Sequence, residues 1–158
     1  MEEKDMQDIR KLAERFNLEP HVEGGAFREL YHASGKAADR LDSGVIYYML
    51  GAGEFSDFHV LDSDEYWFYH AGTTLELWSV QEDGSMKVEL LGIEEGAEPC
   101  VVIRKNTIFG ARHVVDDENA GILVSCVTVP EFTYETYKIL PKEEMLEKYP
   151  ASAAFFRG

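Results

Sequence analysis

Cysteine is scarce in this chain, basic residues are outnumbered two to one, and no long apolar run occurs. Two cysteines, Cys100 and Cys126, lie far apart among Val, Ile and Leu. That excludes a disulfide-stapled scaffold and a zinc knuckle, and it predicts two buried, reduced thiols. Fifteen Lys and Arg stand against 30 Asp and Glu, a net charge of -15. Nucleic acid and anionic membrane surfaces are excluded as partners, because both are bound by exchanging counterions for Lys and Arg. No stretch reaches the roughly 18 apolar residues of a membrane helix, and Met1 to Asp5 lacks the basic-then-apolar order of a signal peptide. A cytoplasmic location is the expectation. There is no internal repeat, low-complexity tract or Gly, Ser or Pro-rich linker, so one domain is expected over 1–158. It divides into a helical segment at 1–19, a barrel at 20–140 and a closing helix and tail at 141–158.

What is present is mostly β pattern. Ile9, Leu12, Ala13 and Phe16 follow helical spacing, so Asp5 to Phe16 reads as an amphipathic helix stopped by Pro20. From Ala26 onward come short β-rich runs: Phe27 to Tyr31, Val45 to Leu50, Glu65 to His70, Thr74 to Ser79, Lys87 to Leu91, Cys100 to Ile103, Ile108 to Ala111, Ile122 to Val129 and Tyr134 to Leu140. Connections this short cannot make parallel crossovers, which points to an antiparallel sandwich or barrel. Pro141 to Glu144 opens the short closing helix, with acids favoured in its first turn by the helix dipole.

Chemistry concentrates between Gly53 and Gly72. Residues two apart on a strand share a face, so His59 points with Leu61, and Glu65 with Trp67 and Tyr69. Two neighbouring strands can thus aim an imidazole and a carboxylate at one cavity, as a general base with its orienting acid or as half of a metal site. His70 has the opposite parity to Glu65 and is expected to face outward. Gly53, His59, Glu65 and Gly72 match the spacing G-x5-H-x-H-x3-E-x6-G, and here the chain resembles the first motif of the cupin superfamily. Leu61 stands where the second histidine belongs. The second motif, G-x5-P-x-G-x2-H, falls near Val101 to His113, with Arg104, Asn106 and Phe109 in place of its Pro, Gly and His.

More narrowly, the segments Pro20-His21-Val22-Glu23-Gly24-Gly25-Ala26-Phe27-Arg28-Glu29, Ser43 to Tyr48, Phe58-His59, Asp64 to Trp67 and Thr128 to Pro130 are similar to the fifth cupin family. The resemblance implies an all-β, antiparallel jelly-roll (double-stranded β-helix) cupin barrel with a short helix at each end, usually a homodimer. It also implies a fold similar to dTDP-4-dehydrorhamnose 3,5-epimerases, in which a histidine removes a proton beside a ketone, a carboxylate orients it and a basic residue binds the diphosphate. His59, Glu65 and Arg28 would fill those roles.

The candidate catalytic residues are therefore His59 and Glu65. Glu23, Arg28, Glu29, Tyr48 and Trp67 are candidates for contact with a small-molecule ligand, and Arg112 is a further cation for an anionic one. Gly24 and Gly25 are read mainly as a turn or bulge, the acidic run Val115 to Asn119 as a solvated turn. The residues identify no cofactor. Three functions stay open: a metal-independent epimerase or isomerase acting through His59, a non-catalytic binding module, and an enzyme holding a divalent transition metal on His59, Glu65 and His113.

Overall fold

The computed structural model describes residues 11–33, 36–37, 40–115 and 117–157. Helix α1 is seen at residues 11–15, and the earlier part of the expected amphipathic helix lies outside the described residues. Leu12, Ala13, Phe16 and Leu18 pack on Met49, Leu123 and Ala71, so the apolar stripe of the helix covers one sheet face. The chain turns at Asn17, whose φ is 55°, before Pro20 is reached.

Thirteen strands follow among the described residues: β1 (Glu19–Pro20), β2 (Ala26–His32), β3 (Lys36–Ala37), β4 (Arg40–Leu41), β5 (Gly44–Gly51), β6 (Ser56–Val60), β7 (Asp64–Gly72), β8 (Leu75–Val80), β9 (Met86–Leu91), β10 (Cys100–Ile103), β11 (Phe109–His113), β12 (Gly121–Val129) and β13 (Lys138–Ile139). They form a six-stranded sheet, β1-β2-β5-β12-β7-β10, facing a five-stranded sheet, β13-β6-β11-β8-β9, with β3 and β4 as a separate ribbon. Every strand pair is antiparallel, as the short connections require. The chain is closed by α2 (Lys142–Lys148), a 3-10 turn at Pro150–Ser152 and α3 (Ala153–Phe156).

Inward side chains alternate along the strands and meet between the sheets. Tyr48, Leu50, Trp67, Leu75, Leu77, Phe109, Ile122 and Val124 form the main core, and Phe58, Trp78, Leu140, Met145 and Phe155 form a second under the C-terminal helices. Alternation decides several residues that spacing alone leaves open. Trp67 is buried while Phe68 and His70 face out, and Tyr48 is buried while Tyr47 packs outside on Phe16 and His70.

Two expectations are corrected. Cys126 is buried, but Cys100 is exposed, because edge strand β10 turns Val101 and Ile103 inward and Cys100 outward. Only Lys138–Ile139 of the run from Tyr134 to Leu140 is strand. The preceding residues instead make a local turn, in which the Thr136 N–H donates to the Thr133 carbonyl and the two threonine hydroxyls bond each other. Such side-chain competition with ladder pairing is what threonine offers a backbone.

Candidate functional site

One cavity, of about 60 Å³, opens between the sheets near the start of β2 and the end of β12. His59 on β6 and Glu65 on β7 both line it, which bears out the strand-parity argument that brought them together. Leu61 lines it too, where a cupin would carry its second histidine.

The partner of His59 is Glu23, not Glu65. Gly24 and Gly25 have φ of 114° and 73°, and a Cβ on them would sit 2.0 Å from the Phe55 carbonyl oxygen and 2.3 Å from that of Met49. Only glycine allows this tight path, and it presses the turn before β2 against β6 and β5. Glu23 is thereby carried into the cavity at 8% exposure. Its Oε2 lies 3.3 Å from His59 Nε2 and accepts a hydrogen bond of 3.0 Å from the Tyr137 hydroxyl.

Asp57 fixes this pair through its backbone. Its N–H donates to the Glu23 carbonyl at 3.0 Å, and its own carbonyl accepts from His59 Nδ1 at 2.6 Å. A carbonyl only accepts, so the neutral His59 carries its proton on Nδ1 and presents a bare Nε2 to Glu23. One proton placed between Nε2 and Oε2 turns that contact into an ion pair. Phe109 packs on the imidazole at 4.3 Å between ring centres and holds its plane.

His21 has the opposite tautomer. The Glu23 N–H donates to its Nδ1 at 3.1 Å, so the ring proton sits on Nε2, and burial lowers its pKa against the smaller opposing pull of Glu23. Burial is also the main reason that Tyr137 is held well above the ordinary phenol range, with the charge of Glu23 second.

Glu65 faces the cavity without such support. It is 6% exposed and its Oε2 has no hydrogen-bond partner. Burial, followed by the charge of Glu23, pushes its pKa up to about 8, although the Cys126 and Trp67 side chains pull it partly back. Glu65 is therefore a neutral carboxylic acid at pH 7, with a proton to donate. The expected role of orienting His59 is not realised, because Glu23 holds that place.

The mouth is bounded by β2 and by the segment 130–137. Phe132, Tyr134 and Tyr137 stand edge to face, with ring centres 4.8, 5.0 and 6.1 Å apart. Arg40 holds this segment through the Glu131 carbonyl while forking onto Asp62 with bonds of 2.7 Å. His32 sits between Glu29 at 3.5 Å and Glu131 at 3.0 Å.

The other expected ligand-contacting residues divide. Glu29 lines the mouth with Phe27, but Arg28 has the opposite parity on β2 and bonds the Phe16 carbonyl outside the cavity at 3.0 Å. Tyr48 and Trp67 are core side chains rather than lining, with the Tyr48 hydroxyl donating to the Gly24 carbonyl at 2.6 Å. Arg112 bonds Glu76 and the carbonyls of Ala154, Phe155 and Arg157 beside a second cavity.

His113 also lies at that second cavity, bonded to the Gly51 carbonyl at 3.0 Å. His113 lies four residues beyond Phe109 on β11, about 13 Å along the strand, which takes it away from the His59 ring on which Phe109 packs. His59, Glu65 and His113 thus do not converge, and Phe109 and Leu61 contribute no donor. Among the described residues no three His, Cys, Asp or Glu side chains are arranged to hold a metal ion. The donor set does not fit a cupin metal.

His21 and Tyr137 are site residues that sequence reasoning missed. His21 shares parity with Glu23 in the same short segment, a usable signal, whereas nothing in the spacing around Tyr137 indicates that its hydroxyl returns to Glu23.

Comparison with known proteins adds the lineage. No curated protein matches the chain. Among solved structures, a Shewanella oneidensis protein is 32% identical over 91% of both chains with a TM-score of 0.84. A hypothetical protein from Leishmania major is 28% identical over 89% of this chain and 92% of its own, with a TM-score of 0.80. An oxalate decarboxylase variant of Bacillus subtilis superposes with a TM-score of 0.58 at 13% identity, over 87% of this chain and 36% of that one, a likeness of fold alone. The family model described as Cupin_5, cupin superfamily (DUF985), matches residues 10–140, and the chain belongs to that family.

Proposed function

We propose that the protein is an acid–base enzyme of the isomerase or epimerase type, moving a proton at a carbon beside the carbonyl of a small, unphosphorylated, sugar-like metabolite. The observation that carries this reading is the bare Nε2 of His59 facing both the cavity and Glu23, with Nδ1 locked on the Asp57 carbonyl. Taking a proton from carbon converts a lone pair opposed to a carboxylate into an imidazolium–carboxylate pair, which favours the transfer. The C–H electrons become a carbon–carbon double bond, and the carbonyl π electrons move to oxygen. Glu65, protonated at neutral pH, donates a hydrogen bond to that oxygen as charge develops. The imidazolium then returns its proton to the opposite face or the neighbouring carbon. Because Arg28 lies outside the cavity, a nucleotide diphosphate would find no counter-charge from it, which narrows the substrate to compounds without phosphate.

Incubation of unphosphorylated aldoses and ketoses with the protein in D2O, followed by proton NMR, tests this reading. Deuterium should enter at carbon beside the carbonyl, and His59→Ala and Glu23→Gln should each slow it at least about a hundredfold. Equal exchange by the His59→Ala protein would overturn it.

A further inference from the structure

The cavity holds an unusual charge inventory. Glu23, Glu29 and Glu65 line it, together with three histidines, and no lysine or arginine does so among the described residues. His21 is kept neutral by its tautomer and by burial. His59 balances Glu23 when a proton lies between them, and His32 is already occupied by Glu29 and Glu131. That leaves Glu65, whose buried Oε2 has no hydrogen-bond partner, as the acid group of the described lining for which the chain supplies no cation when it ionises. Over the same opening stand Phe132, Tyr134 and Tyr137, with Phe27 on β2, and aromatic faces attract cations.

We infer that the cavity binds an organic cation, a small ligand whose ammonium group sits against the aromatic wall and supplies Glu65 with its missing counter-charge. The inference uses the site of the proposed activity but not its substrate: a cation that ionises Glu65 takes away the proton which that activity needs, so such a ligand inhibits it. Anions meet three carboxyl groups and no lysine or arginine among the described lining residues, and the net charge of -15 repels them at a distance as well. Binding a cation favours the ionised form of Glu65, so a proton leaves as the ligand enters. Affinity for a permanent cation therefore rises with pH up to about 8 and is level above it.

Three probes of one shape separate charge from size: choline, its neutral carbon isostere neohexanol, and tert-butylacetate. Calorimetric titration of the full chain should give choline binding about tenfold tighter than neohexanol, equivalent to about 1.4 kcal/mol, with tert-butylacetate weakest. Glu65→Gln keeps the shape of the protonated acid and should erase the choline preference, while Tyr134→Ala should weaken choline a few-fold with the fold intact. No choline binding, equal or tighter binding of the alcohol or the anion, or a preference that survives Glu65→Gln overturns the inference. Choline has no carbonyl, so the two ideas fail separately. Deuterium exchange without a choline preference removes only this one, and a choline preference without exchange removes only the proposed activity.

Discussion

Two cavities of this barrel treat charge in opposite ways. Beside the second, Arg112 spends its guanidinium on Glu76 and three carbonyls of the C-terminal segment, and stacks on Trp78 and Phe155. Its neighbour His113 bonds the Gly51 carbonyl and the Thr73 hydroxyl. In the first cavity, Glu65 Oε2 bonds nothing and His59 Nε2 faces a carboxylate. Polar groups matched within the chain fasten the fold, whereas unmatched ones cost stability and gain a partner only when something enters.

Breaking the matched side should give the largest effect. Arg112→Met leaves three carbonyls and Glu76 without their cation, so a loss of about 3 kcal/mol is expected in urea denaturation. Deuterium exchange on sugars should be unchanged, because Arg112 touches nothing in the first cavity.

On the unmatched side the sign reverses. Glu65 has a folded pKa of about 8 against 4.5 for the free group, so between those values the folded state holds a proton that the unfolded chain has released. Stability contributed by this group is full below the lower value and falls as pH rises towards the upper one. Glu65→Gln should therefore flatten the pH profile and raise stability by about 2 kcal/mol above pH 8, while lowering activity. A destabilised Glu65→Gln protein at that pH would mean that the carboxyl is matched after all.

Smaller effects sharpen the contrast. His113→Leu should cost about 1.5 kcal/mol by stranding the Gly51 carbonyl, with ligand titrations unaltered. Tyr137→Phe removes one hydrogen bond from Glu23 and should cost about 1 kcal/mol, but it should slow deuterium exchange about tenfold. A stability loss with full exchange would make Tyr137 a packing residue.

The same contrast explains what could be read in the sequence. The run Cys100 to Ile103 is marked as strand by its β-rich composition, though not as to which face Cys100 takes, and the inward set Glu65, Trp67 and Tyr69 follows from local alternation, which needs only period two. The meeting of His59 with Glu65 in one cavity was legible for that reason. The true partner of His59 was not, because Glu23 reaches it through a turn whose path depends on two glycines pressed against other strands. Tyr137 lies in a segment that reads as strand but folds as a turn, so its period-two pattern pointed nowhere useful. Arg28 shows the limit of motif reading, since one step of parity separates the Phe27 and Glu29 that line the cavity from the arginine that does not.

The backbone of Asp57 has one more consequence. Its N–H reaches the Glu23 carbonyl, in the turn between β1 and β2 of the six-stranded sheet, while its carbonyl grips His59 within the five-stranded one. A single peptide segment thus records whether the two halves of the sandwich have docked. The Asp57 amide is a built-in gauge of assembly, and its hydrogen should exchange with solvent only as fast as the two sheets part.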